Sequence, residues 1–206
     1  MTTEAKKGVL MVVSGPAGSG KGTVIKLLRE KYPNVALSVS ATTRDPRPGE
    51  VNGVHYFFIK REEFEDKIRK DEILEYTEYC GNLYGTPAQA VRDALAEGKD
   101  VILEIEVDGA GQIKKLFPDA VRVMLIPPDG ATLEARLRGR GTETEDVILK
   151  RLAKARVELG LAPGYDHIVV NGDDAAADCA DDLWAILKAE HTKYEYMSCV
   201  TDSFFN

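Results

Sequence analysis

One stretch near the start limits this chain more than any other. The apolar run Val9, Leu10, Met11, Val12 and Val13 passes into Ser14, Gly15, Pro16, Ala17, Gly18, Ser19, Gly20, Lys21, Gly22 and Thr23. Val24, Ile25, Leu27 and Leu28 then follow at helical spacing. The pattern reads as strand, glycine loop, helix. Gly15, Gly20 and Lys21 have P-loop spacing, in which successive backbone N–H groups point at phosphate oxygens and the lysine supplies a point charge. The positive end of the following helix adds to that field. An apolar strand before the loop and an amphipathic helix after it are the context this motif requires.

Further strands are expected at residues 101–107 and 121–126, with a shorter one at 168–170. Thr86, Pro87 and Gln89 read as an N-cap, a proline at the first helical position and a capping-box glutamine, and Gly98 closes that helix. A second helix is expected over 147–159, announced by Thr142, Glu143, Thr144 and Glu145. Strands alternating with helices imply an α/β fold of the P-loop NTPase type. Its mostly parallel sheet is flanked by helices, with ligands at the carboxyl ends of the strands. The expected organisation is one domain with a core over about 8–37, 99–126 and 166–190, a mixed α/β insert over about 38–98, and an arginine-rich helical lid over about 127–165.

Composition narrows the ligand. A net charge of −7 repels polyanions, so a general nucleic-acid binder is disfavoured and any anionic ligand needs local clusters of Arg and Lys. No apolar run is long enough to span a bilayer, and Cys80, Cys179 and Cys199 form no CxxC pair, so neither a disulfide framework nor a zinc site is expected. A cytoplasmic location is the expectation. His55, His167 and His191 lack metal-ligand spacing and read as structural or surface residues.

A second motif runs from Ser38 through Ser40, Thr42, Thr43, Arg44, Pro46, Arg47, Pro48, Gly49 and Glu50 to Gly53, His55 and Tyr56. With the P-loop, and with Ile73-Leu74-Glu75, Gly81-Asn82-Leu83-Tyr84-Gly85-Thr86, Arg138-Gly139-Arg140-Gly141 and Val170-Asn171, it resembles guanylate kinases nearly throughout, to about residue 190. The resemblance implies phosphoryl transfer from ATP to GMP, with Mg2+ accompanying ATP. It implies an ATP site at Gly15, Pro16, Ala17, Gly18, Ser19, Gly20, Lys21, Gly22, Thr23 and Asn171. It implies a GMP site at Ser40, Arg44, Arg47, Tyr56, Glu75, Tyr84, Thr86, Glu104 and Glu106, and catalytic roles for Lys21, Arg44, Arg136, Arg140 and Arg151.

The chemistry is coherent. Arg44 and Arg47 can grip one phosphate with forked donors, and the hydroxyls of Tyr56 and Tyr84 can complete its shell. Guanine presents N1–H and a 2-amino group as adjacent donors, which the Glu75 carboxylate can accept while Ser40 and Thr86 meet the remaining edge. A strand over 101–107 would point Glu104 and Glu106 to one side, toward magnesium, its water or the base, or into salt bridges with lid arginines. The family usually carries Asp at both positions and Gln where Asp108 stands. Gly22 occupies the place where a Ser or Thr would normally ligate magnesium, so Thr23 and Glu104 are the candidate donors; the same Gly-Lys-Gly-Thr order resembles adenylate kinases. Arg138 reads as part of a solvated helix face. Asn171 either meets the donor adenine or shapes its loop. Two rival readings are a kinase of another acceptor, which a substrate panel separates, and a guanylate-kinase-like interaction module, which would have no turnover.

Overall fold

The computed structural model describes residues 7–79, 81–139, 141, 144–193 and 196–197. Arg140, Thr142, Glu143, Cys80 and Cys199 lie outside the described residues. The core sheet is built from β1 (Leu10–Ser14), β2 (Val35–Leu37), β7 (Asp100–Glu104), β8 (Val121–Ile126) and β9 (His167–Val170), in the order β2-β7-β1-β8-β9. Every adjacent pair in it is parallel. β1 is central and buried along its whole length, and its alternating side chains feed two cores. Val9, Met11 and Val13 pack with Val24, Ile25 and Leu28 of α1 (Lys21–Lys31) and Leu183 and Leu187 of α7 (Ala176–Glu190). Leu10 and Val12 face the other way, toward Val91 and Leu95 of α3 (Ala88–Ala96) and Ala110 and Ile113 of α4 (Val107–Leu116). Each fully buried aliphatic side chain contributes roughly 1.5–3 kcal/mol relative to an exposed one, so this two-sided burial anchors the loop that leaves β1.

Between β2 and β7 the chain forms a second sheet, with strands β3 (Ala41–Thr42), β4 (Phe57–Phe58), β5 (Ile73–Tyr79) and β6 (Asn82–Pro87) in the order β4-β3-β6-β5. Helix α2 (Arg61–Arg69) covers it, burying Phe64 against Ala41 and Leu83. Helices α5 (Gly130–Gly139) and α6 (Glu145–Leu159) pack together through Leu133, Leu137, Ile148 and Ala155, and Ala17 of the glycine loop joins that cluster.

Two local expectations are corrected. The strand expected over 101–107 ends at Glu104, and Glu106 is the N-cap of α4 with φ −68° and ψ 158°. The carboxylates of Glu104 and Glu106 therefore do not share one strand face. Thr86 and Pro87 end β6; Pro87 is the N-cap of α3 without a side-chain cap, and Gln89 instead donates to Asp93 at 2.7 Å. The long-range pairing of β6 with β5 outcompetes the local capping pattern. Before residue 60, Phe57 and Phe58 form the strand β4, and Tyr56 makes an isolated bridge to Asn52.

Candidate active site

The glycine loop joins β1 to α1 at the carboxyl end of the core sheet. A Cβ on Gly15 would stand 2.1 Å from the carbonyl oxygen of Leu125, and its φ of +142° lies where side chains are disfavoured. Gly20, the N-cap of α1, has φ +91° and lies against the Asn171 amide. Asn171 is buried, and its Nδ2 donates to the Ser19 carbonyl at 2.8 Å, so the residue after β9 braces the loop. That contact shapes the glycine loop. Replacing Asn171 by alanine is expected to cost about 1–3 kcal/mol in urea denaturation, because a buried carbonyl loses its donor, and to raise KM for ATP more than KM for GMP.

Lys21 begins α1 and folds back over the loop, its Nζ donating to the carbonyls of Gly15 at 2.6 Å and Pro16 at 3.2 Å. Burial pushes its pKa down, and the carboxylates of Glu106, Glu104 and Glu158 oppose that shift. A cavity of about 640 Å³ opens beside it. Ala17, Lys21, Ser40, Tyr56, Glu75, Tyr84, Glu104, Glu106 and Arg151 line it, together with Lys154 and Glu158. Its lining includes six carboxyl groups and three cationic side chains. Such a cavity rejects an anionic nucleotide unless cations accompany it or close on it.

Glu75 is buried at 3% exposure, and the Thr86 hydroxyl donates to its Oε1 at 2.7 Å. Desolvation pushes its pKa up to about 7, outweighing the Thr86 hydrogen bond that lowers it. Glu104 is likewise pushed up by burial and pulled down by Lys21. Gly22 lies beside Glu104: a Cβ there would come within 3.7 Å of Oε1.

At the rim, the Arg44 guanidinium forks onto Glu50 at 2.9 and 3.0 Å and stands 5.5 Å from the ring centroid of Tyr56 and 5.7 Å from that of Phe58. Glu50 also accepts from the Arg47 backbone N–H at 2.7 Å, and the Arg44 hydrogen bond, with that of Arg47, holds its carboxyl down at about 2. The rings of Tyr56 and Tyr84 meet edge-on at 6.0 Å.

With this arrangement in view, the family model for guanylate kinase matches residues 7–190. The chain belongs to the guanylate kinase family. It is 53% identical to the guanylate kinase of Halalkalibacterium halodurans over 192 residues, 93% of each chain. It is 49% identical to that of Carboxydothermus hydrogenoformans over 187 residues, 91% of each. Among solved structures, the guanylate kinase from Anaplasma phagocytophilum is similar, with a TM-score of 0.73 and 32% identity, over 91% of this chain and 88% of that one. The chain is a guanylate kinase, an ATP:GMP phosphotransferase.

In this guanylate kinase the sequence-expected residues do not all converge. Arg44, Arg47, Thr86 and Arg136 are absent from the cavity lining. Arg136 turns to the loop after β9, donating to the Gly172 carbonyl at 2.9 Å and pairing with Asp173 at 3.2 Å. Arg138 pairs with Glu134 and Glu145 on the exposed side of its helix, as a solvated residue would. Sequence reasoning missed Lys154 and Glu158. Lys154 bridges Glu106 at 2.6 Å and Glu158 at 3.3 Å and stands 5.9 Å from the Tyr79 ring centroid, so it ties α6 to α4 and to the second sheet. The available signal was helical spacing: Arg151, Lys154 and Glu158 stand at i, i+3 and i+7 and share one face of α6.

Proposed function

We propose that the cavity is the acceptor site and the glycine loop the donor site of one phosphoryl-transfer centre. The observation that carries this reading is the buried Glu75 carboxylate held by Thr86, opening into a cavity that also contains Lys21 and Arg151. Guanine's N1–H and 2-amino group would donate to Glu75, and Ser40 and Thr86 would meet the rest of its edge. The GMP phosphate would lie at the rim between Arg44, Arg47, Tyr56 and Tyr84. There the Arg44 fork is already ordered by Glu50 and by the rings beneath it.

The loop amides from Gly15 to Thr23 and the Nζ of Lys21 would hold the ATP phosphates, with Lys21 exchanging its carbonyl partners for phosphate oxygens. Arg136, Arg140 and Arg151 would close on the transferring group. Phosphoryl transfer asks the protein chiefly for in-line positioning and for cancellation of charge spreading over the equatorial oxygens. Movement of the α5–α6 pair, which already rests on Ala17, would exclude water from that step.

Among the described residues no group of three or more His, Cys, Asp or Glu side chains could by itself hold a metal ion. That donor set fits a magnesium ion that keeps waters and takes its other ligands from ATP, with the Thr23 hydroxyl and the Glu104 carboxylate beside Gly22 as the protein oxygens. Bound there, Mg2+ would supply neutralisation of the bridging phosphate charge. We place the enzyme in the cytoplasm, acting on ATP and GMP rather than on nucleic acid; among the described residues no helix is long and apolar enough to cross a membrane.

A coupled ADP-release assay with Mg-ATP and GMP, AMP, UMP, CMP or ribose phosphate tests the acceptor assignment: selective turnover of GMP supports it, and equal turnover of AMP overturns it. The carboxyl also predicts a pH profile. Guanine needs the ionised acid, so with a free-enzyme pKa of about 7 GMP affinity should rise about tenfold per pH unit below 7 and level off above it. Titration calorimetry of the wild type and Glu75→Gln separates this carboxyl from the phosphate's own titration; identical profiles would refute it.

A further inference from the structure

Strand β5 is the edge of the second sheet, so among the described residues one side of its backbone has no strand partner. Its register against β6 breaks between Ile73 and Tyr76, the segment that carries Glu75. A break of this kind re-aims side chains and leaves backbone groups to be satisfied elsewhere. Helix α4, which belongs to the core layer, fills both needs. The Gln112 side chain reads the open edge as a strand would: Oε1 accepts from the Tyr76 N–H at 3.2 Å and Nε2 donates to the Tyr76 carbonyl at 3.0 Å.

One turn earlier, and on the same face, stands Gly109. A Cβ at Gly109 would come within 2.4 Å of Glu75 Oε2, 3.1 Å of Glu75 Cδ and 3.3 Å of Ile105 Cδ1. Glycine within a helix costs about 1 kcal/mol relative to alanine, and the φ of Gly109 is not positive, so its backbone does not require glycine. Space for the carboxylate does. Glu75 is thus held at three points: Oε1 by the Thr86 hydroxyl, Oε2 against the bare Cα of Gly109, and the adjoining peptide by Gln112.

We propose that the Gly109–Gln112 face of α4 sets the guanine selectivity of this kinase by fixing the position of the Glu75 carboxylate. Gly109 and Gln112 are positioning residues; neither lines the cavity. The inference rests on the base-reading role of Glu75 proposed above. An added methyl at Gly109 leaves the carboxylate its charge but rotates or withdraws it. The 2-amino group of guanine is then read poorly, and discrimination against a base lacking that group declines.

The test compares kcat/KM for GMP and for IMP, which lacks the 2-amino group, in Gly109→Ala, Glu75→Asp, the double variant and Glu75→Gln, with KM for ATP and melting temperature alongside. For Gly109→Ala we expect a loss of about 10–100-fold in kcat/KM for GMP, carried by KM rather than kcat. The GMP-to-IMP ratio should fall about tenfold, with KM for ATP within about twofold. Shortening the acid relieves the clash, so Gly109→Ala should cost little more in Glu75→Asp, whereas a merely structural role would make the two losses multiply. Gln112→Met, which keeps the volume and removes both hydrogen bonds, should lower the ratio about fivefold and serves if Gly109→Ala does not fold. An unchanged ratio in a folded Gly109→Ala or Gln112→Met protein, or multiplying losses in the double variant, overturns the proposal. If Glu75→Gln itself leaves the ratio unchanged, the base-reading role falls and the proposal with it; if Glu75→Gln collapses the ratio and Gly109→Ala does not, only the role of α4 falls.

Discussion

Replacing Lys21 by methionine is expected to cut turnover at saturating ATP and GMP by about 10²–10³-fold, with GMP binding and the folded state retained. The side chain is nearly isosteric, so the change removes charge and donors but little volume. The ammonium group answers the carbonyls of Gly15 and Pro16, which holds the cation over the loop where, on the proposed reading, phosphate oxygens would replace them. Burial already disfavours that charge, as the lowered pKa of Lys21 records. Loss of two carbonyl contacts and relief of a desolvated cation act in opposite directions, so stability should move by no more than about 1 kcal/mol. Steady-state kinetics and a melting curve check this together. Turnover within threefold of wild type would remove Lys21 from the transfer step.

The second large effect is at Glu75. Glu75→Gln should lower kcat/KM for GMP by about 10²–10³-fold while KM for ATP stays within twofold. The amide that replaces one carboxylate oxygen is a donor, and it would face guanine's own donors. Equal losses for both nucleotides would refute the base-reading role. The same variant carries a stability signature. The folded-state pKa of about 7 lies above the ordinary 4.5, so the native protein retains a proton that the unfolded chain releases. The stabilisation from that proton is fully present below about pH 4.5 and is lost as pH rises to 7, a decline of roughly 3 kcal/mol. Glu75→Gln should lack this slope and be the more stable protein at pH 8, as denaturant titrations at several pH values would read.

Those two residues also mark how far the site was legible beforehand. Lys21 follows from local order: a buried strand, a glycine loop and a helix adjoin in sequence, so their spacing already contains the phosphate cradle. Arg44 and Arg47 belong to one short turn visible in the sequence, but the Glu50 carboxylate that both of them bond was not singled out. Glu75 was named through family resemblance, but what holds it was misread. Thr86 carries a convincing helix-cap pattern with Pro87 and Gln89, yet its hydroxyl goes to Glu75, eleven residues back. Glu106 reads as strand by composition and becomes an N-cap, because pairing with β1 stops at Glu104.

The sequence by itself determined the α/β class with its mostly parallel sheet and the strand, glycine loop and helix that join around Lys21. These depend on periods of two and 3.6 residues and on glycine spacing, which are properties of neighbours in the chain. Only the tertiary structure decided that Lys154 ties α6 to Glu106, that Asn171 braces the Ser19 carbonyl, and that Gly109 and Gln112 hold Glu75. Each of those contacts joins separate elements, 152 residues apart in the case of Asn171 and Ser19 and 36 for Gln112 and Tyr76. Their geometry arises from how two sheets and the helices between them pack, and packing distances have no period in the sequence from which to be read.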